Sequence, residues 1–209
     1  MVGSGSWRDG ARRIVDIGCG DGQFVITAAA SNPHQDYLGI ELIPPLLERA
    51  AKRAKESGVT NARFIAGDAV AWLFTCCEHA SIDEIHVYHP QPYYDPAEAE
   101  LGMLTAAFFK RVWQVLRPDG IFVFQTDHKR YGRYLLEAAR GNFEAELQRA
   151  PWPDAPRGRT QREGIALGKK MSILRVLARR RSAELDVESP PPYFDLARPG
   201  LKRRRIKRR

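Results

Sequence analysis

Cysteine is scarce, with three residues in 209, at Cys19, Cys76 and Cys77. An odd number, two of them adjacent, suits neither a disulfide framework nor a zinc site and fits reduced thiols in a cytoplasmic setting. Long apolar runs are missing too. Nothing approaches the ~18 consecutive apolar residues of a membrane helix, and residues 1–10 lack the cationic-then-apolar pattern of a secretory leader. There is no internal repeat, no Ser-His-Asp arrangement, no metal-ligand cluster and no Gly-x-x-x-x-Gly-Lys loop. Secreted scaffolds, membrane spans, metal sites and P-loop chemistry are therefore not expected.

What is present is an ordinary globular composition, 44% hydrophobic and 28% charged, of a length that suits one α/β domain. The net charge of +8 is unevenly placed. Arg198 to Arg209 hold eight Lys/Arg and no acid, leaving 25 bases and 25 acids elsewhere. Such a tail is either a solubilising terminus or a phosphate-seeking arm. We expect a domain over residues 1–182 and a Pro-rich, then basic tail over 183–209.

Apolar segments alternate in the rhythm of a doubly wound α/β sheet. Strands are expected at Arg13–Ile17, Tyr37–Ile40, Ala62–Ala66, Ile82–Tyr88, Ile121–Gln125, Phe143–Gln148 and Lys170–Arg179. Helices are expected at Gly22–Ser31, from Pro44 to a stop at Gly58, from the Asp68 cap to Phe74, and at Glu98–Leu116, His128–Arg140 and Gln161–Leu167. Arg117 to Gly120 reads as a turn. Trp72, Trp113, Phe108 and Phe109 have core-like spacing, and His86 alternates inside a strand, so all five read as packing.

The strongest local signal is Asp16-Ile17-Gly18-Cys19-Gly20-Asp21-Gly22, between a strand and a helix. Glycines there allow positive φ and close approach of a ligand to a helix N-terminus. A dinucleotide loop needs glycine three residues after Gly20, where Gln23 stands, so the spacing favours a different nucleoside cofactor. Glu41 ends the second strand, where an acid meets ribose hydroxyls, and Asp68 ends the third, where Asp68 and Ala69 would meet an adenine or simply begin a helix. Three acids at successive strand ends make a ligand edge.

Further along come His89-Pro90-Gln91-Pro92-Tyr93, Thr126-Asp127 and Thr160-Gln161-Arg162-Glu163. With the glycine motif and Gly39-Ile40-Glu41, this resembles the bacterial tRNA (guanine-N7)-methyltransferases. The resemblance runs from about Arg13 to Leu177. It implies a mostly parallel Rossmann-like sheet with an antiparallel last strand, and S-adenosylmethionine as cofactor, held by Asp16, Gly18, Gly20, Gly22, Glu41, Asp68 and Ala69. It also implies a tRNA or other RNA substrate met by Asp127, Thr160 and Glu163, with His89, Gln91 and Tyr93 lining the pocket and no metal. Asp127 is the expected catalytic, substrate-positioning residue; Asp127 or Glu163 would accept the guanine N1–H and amine. The family's Phe-Pro-Asp-Pro-Trp is replaced around Gln91 and Tyr93, and Asp95 to Glu100 is acidic where the family is basic. A relative of the same fold acting on another RNA, a small molecule or a protein is the alternative, and a non-catalytic RNA-binding module a third. Monomer and homodimer stay open.

Overall fold

The computed structural model describes residues 7–93 and 102–184. Asp95 to Glu100 and most of the tail therefore lie outside the described residues. Seven strands form one sheet: β1 (Arg13–Ile17), β2 (Asp36–Glu41), β3 (Ala62–Ala66), β4 (Ile82–Tyr88), β5 (Leu116–Thr126), β6 (Phe143–Gln148) and β7 (Leu174–Arg180). Their order is β3-β2-β1-β4-β5-β7-β6. β1 to β5 pair in parallel, while β7 runs antiparallel to β5 and to β6. Among the described residues six helices connect them: α1 (Gln23–Ser31), α2 (Pro44–Glu56), α3 (Ala69–Cys76), α4 (Ala106–Val115), α5 (Lys129–Ala139) and α6 (Gln161–Gly168). None of them is long and apolar enough to cross a membrane.

Strands alternate their side chains between two faces, and here both faces are covered. Val15, Ile17, Leu38, Ile40, Ile85, Val87, Phe122 and Phe124 pack on the face that meets α3, α4 and α5. Ile14, Tyr37, Tyr88 and Val123 turn the other way, against Phe24, Val25 and Ala29 of α1 and against Trp152. On that second face the alternation places Asp16, His86 and Gln125, all buried polar residues. These buried polar groups thus lie on the α1 side of the sheet. Trp72, Phe108 and Phe109 are buried packing, as their spacing predicts, and Trp113 stacks under Arg180 at 4.5 Å.

Three boundaries differ from expectation. Among the described residues α4 begins at Ala106, because the Thr105 hydroxyl caps it by accepting the Phe108 N–H (3.2 Å); residues 98–101 lie outside the described ones. The expected turn at Arg117–Gly120 is a bulge within β5: Ile82 pairs with Leu116, but Glu84 pairs with Ile121, and Asp119 takes φ +64°. β7 begins at Leu174, not at Lys170, because Lys170 and Met171 finish α6. Their N–H groups donate to Leu167 and Ala166 carbonyls (both 2.9 Å), with Lys170 left-handed at φ +53°. That is a Schellman ending built without glycine.

Candidate active site

The glycine turn after β1 folds back over β2: Gly18 and Cys19 N–H groups both donate to the Ile40 carbonyl at 2.9 Å. Gly39 makes this possible, since a Cβ there would stand 2.7 Å from Cys19 Sγ. The three glycines of the turn do different things. Gly18 and Gly20, at φ +75° and +56°, have nothing within 4 Å of where a Cβ would sit and so leave an open cradle. Gly22 instead lets α1 approach α2, for a Cβ on it would meet Ala50 Cβ at 2.8 Å.

Glu41, at the end of β2, is 8% exposed and braces the cradle. Its Oε2 accepts the Gly20 N–H and its Oε1 the Ile43 N–H, each at 2.9 Å. Each carboxylate oxygen has two lone pairs, so both can still accept from a ligand. Asp68 caps α3, its Oδ1 accepting the Val70 and Ala71 N–H groups (2.8 and 3.1 Å), and its side chain is exposed. Glu41, Asp68, Ala69 and Gly18 line a cavity of about 540 Å³ with the apolar Leu42 and Phe74.

Gly18 also borders a second cavity of about 480 Å³, which includes Asp16, Gly20, Tyr88, His89, Thr160 and Arg162. Asp16 is buried, and its Oδ1 has no hydrogen-bond partner. Burial, then the charge of Glu41, pushes its pKa up to about 8. An acid in that state is suited to a cationic ligand group. Two cavities that share Gly18, one flanked by an acid and apolar walls and one by an orphaned carboxyl, fit a nucleoside that carries an amino acid.

Asp127 follows β5 and bonds to His89 and Arg162, which both line the second cavity. Burial alone would raise its pKa, but hydrogen bonds from Arg162 and His89 outweigh this and hold it below the usual carboxylate range. Arg162 donates through Nε to Oδ2 and through Nη2 to Oδ1 (3.3 and 3.2 Å), and His89 Nδ1 lies 3.3 Å from Oδ1. Asp127 and Arg162 also border a third cavity, about 400 Å³, with Ile165, Lys169 and Met171. Thr160 lines the second cavity while capping α6, accepting the Glu163 N–H at 3.2 Å.

Glu163, expected beside the substrate, faces inward. It is 0% exposed; Oε1 accepts from Arg175 Nε (2.8 Å) and Oε2 from the Arg159 N–H (2.8 Å). The Thr-x-x-Glu segment is thus a capping box displaced by one residue. It fixes the loop that carries Thr160 and Arg162. Among the described residues Gln91 and Tyr93 line neither of the first two cavities. The Gln91 amide donates to the Pro92 carbonyl at 3.3 Å, and Tyr93 is half-buried. Arg162 was not singled out from the sequence, because an arginine at an x position of a motif carries no signal until its partner is known.

Residues 11–170 match the family described as "Putative methyltransferase". The chain is 33% identical over 162 residues to the tRNA (guanine-N(7)-)-methyltransferase of Chromobacterium violaceum, covering 76% of this chain and 72% of that protein. The enzyme of the same name from Ralstonia nicotianae is 31% identical over 180 residues, covering 84% and 71%. The chain belongs to the tRNA (guanine-N7)-methyltransferase family. Solved structures show the fold of these methyltransferases. The 16S rRNA methyltransferase KamB superposes with a TM-score of 0.57 at 14% identity, over 81% of this chain and 87% of that one. A precorrin-6y C5,15-methyltransferase from Geobacter metallireducens gives 0.55 at 13% identity, over 82% and 80%. Family membership implies S-adenosylmethionine as the methyl donor, and the cavities at Gly18 offer carboxylate acceptors and space that fit its amino group and ribose.

Proposed function

We propose that this chain transfers the methyl group of S-adenosylmethionine to N7 of a guanine in tRNA. Asp127 carries the reading: an ionised carboxylate beside the cofactor-side cavity, in a chain whose relatives are named for that reaction. Bound S-adenosylmethionine supplies an electrophilic methyl group on a sulfonium. Asp16 would meet its amino group, Glu41 its ribose hydroxyls, and Asp68 and Ala69 its adenine. Gly18 and Gly20 provide the room for close approach.

Guanine N7 has an in-plane lone pair and no proton to lose, so no general base is needed. The work left to the chain is to hold the reacting atoms in line and to exclude water. Asp127 would accept the guanine N1–H and exocyclic amine. Adenine presents a lone pair at the first position, which a carboxylate rejects. Thr160 and Arg162 would close the wall opposite Asp16.

The test is to incubate the purified protein with unmodified tRNA and S-adenosylmethionine and to analyse the nucleosides by mass spectrometry. We expect 7-methylguanosine; its absence, with cofactor bound, would overturn the substrate reading. Asp127→Ala should bind cofactor normally and transfer methyl groups on the order of 100-fold more slowly, the scale of a misplaced reactant. Full activity in that variant would remove Asp127 from recognition.

A further inference from the structure

Behind Asp127 lies a line of hydrogen bonds that begins in the core. The Trp152 indole N–H donates to Gln125 Oε1 at 2.7 Å, with both residues buried. Gln125 Nε2 lies 3.0 Å from His89 Nε2, and His89 Nδ1 lies 3.3 Å from Asp127 Oδ1. The side chain of His89 is 3% exposed and that of Asp127 11%.

The ends of this line fix its direction. An indole nitrogen only donates and an ionised carboxylate only accepts. Trp152 therefore requires the Gln125 oxygen on its side, which turns the amide NH₂ toward His89, so that His89 Nε2 must accept. Asp127 requires a donor, so His89 Nδ1 must carry the proton. Both ends demand the same state: a neutral His89 protonated on Nδ1. The opposite tautomer would set donor against donor at Nε2 and acceptor against acceptor at Asp127. The imidazolium would set two donors against each other at Gln125, unless the amide flips and faces the indole with a second donor.

We infer that Gln125, held by Trp152, is a positioning residue that fixes the Nδ1–H tautomer of a neutral His89 and through it orients the Asp127 carboxylate. The role of Asp127 rests on the function proposed above; the tautomer does not. His89 borders the same cavity as Asp16, where a cation is to be bound, so an uncharged ring there avoids repelling it. The groups that face His89 are Asp127, Arg162, Glu163 and Gln125. Burial, with Arg162 beside it, holds its pKa below the usual imidazole value against the opposing pull of Asp127 and Glu163. Arg162 takes the other side of Asp127 with both Nε and Nη2, its own side chain 58% exposed.

The experiment is long-range ¹H–¹⁵N spectroscopy of ¹⁵N-histidine protein, the His89 signals being those missing from His89→Phe. We expect a single Nδ1–H tautomer that stays neutral as pH falls through the ordinary imidazole range near 6.5. Gln125→Glu keeps the shape and can still accept from Trp152, but it turns a donor into an acceptor beside Nε2. It should make His89 doubly protonated at pH 7 and lower kcat on tRNA by on the order of 10- to 100-fold, with cofactor affinity changed far less. Trp152→Phe, which frees the amide to flip and present its oxygen to Nε2, should let His89 take up a second proton, since both ring nitrogens then face acceptors. An Nε2–H tautomer in the wild type, or ordinary titration, would overturn the relay while methylation of tRNA persisted. Unchanged kcat in Gln125→Glu despite a doubly protonated His89 would overturn its positioning role. A wild type that shows the expected tautomer but does not methylate tRNA would instead overturn the proposed function, and the role given to Asp127 with it.

Discussion

Asp16 is the residue whose charge state should couple most visibly to binding. Its carboxyl, buried and beside Glu41, has a pKa pushed up to about 8 from 3.8, so it is mostly protonated in the free protein at pH 7. A cationic amino group placed against its orphaned Oδ1 favours the ionised form. Cofactor binding near neutral pH should therefore release a proton, and affinity should climb by up to about tenfold per pH unit until pH reaches about 8. Calorimetry in two buffers of different ionisation enthalpy measures the release, and Asp16→Asn should abolish it; equal heats in the wild type would sink the idea. The stability linkage has the opposite slope. A carboxyl raised in the fold binds a proton that the unfolded chain has already lost, so its stabilisation is full below pH 3.8 and disappears as pH rises to about 8. At this scale the acids were legible in the sequence because they end successive strands. Gln125 and Arg162 were not, because their meaning lies in partners 27 and 35 residues distant.

At the scale of elements, the loop and α6 are pinned by one buried ion pair. Glu163 and Arg175 have side chains 0% and 4% exposed, with 2.8 Å between Oε1 and Nε. Removing one partner strands the other charge, at a cost of about 3–5 kcal/mol, whereas replacing both with apolar residues of like volume is near neutral. Glu163→Ala should accordingly lower the denaturant midpoint steeply, and Glu163→Leu combined with Arg175→Met should restore most of it. If Glu163→Ala unfolds like the wild type yet loses methyl transfer, the residue contacts substrate and the inward reading fails. The positions of β1, β3, β4 and β6 were legible because their apolar runs are bounded by Gly, Pro or Asn. α6 and β7 were misdivided at Lys170–Ile173, since a left-handed lysine ending a helix has no glycine to announce it. The inward turn of Glu163 was not legible, because a motif shows which residues recur together, not which way each side chain turns. Arg159 shows how such turning is set. It donates to Tyr88 Oη at 3.0 Å and forks onto Asp154, lying 4.2 Å over the Trp152 ring, and so holds the loop against the sheet.

For the whole molecule, charge separates into a balanced body and a cationic end. Residues 1–197 hold equal numbers of acids and bases, while Arg198 to Arg209 supply the entire +8. If the proposed site is the one that meets tRNA, an edge with Asp16, Glu41, Asp68 and Asp127 is a poor attractor for a polyanion. Arg162 is already committed to Asp127, which leaves Lys169 at the third cavity among the basic residues lining it. Encounter with tRNA should then depend on charge outside that edge, and the tail has the largest concentration of it. Each phosphate neutralised releases counterions, giving a slope of log K against log salt near −0.7 per contact on single strands and −0.9 on duplex. Engaging four of the tail's bases would steepen the slope by about 3. The comparison is between the full chain and one ending at Pro199, which lacks seven of the eight bases, each titrated with tRNA across a salt series. A shallower slope in the shortened chain, with unchanged affinity for S-adenosylhomocysteine, is the expected outcome. Equal slopes would make the tail a solubilising terminus and leave tRNA capture to the groups around Asp127 and Lys169.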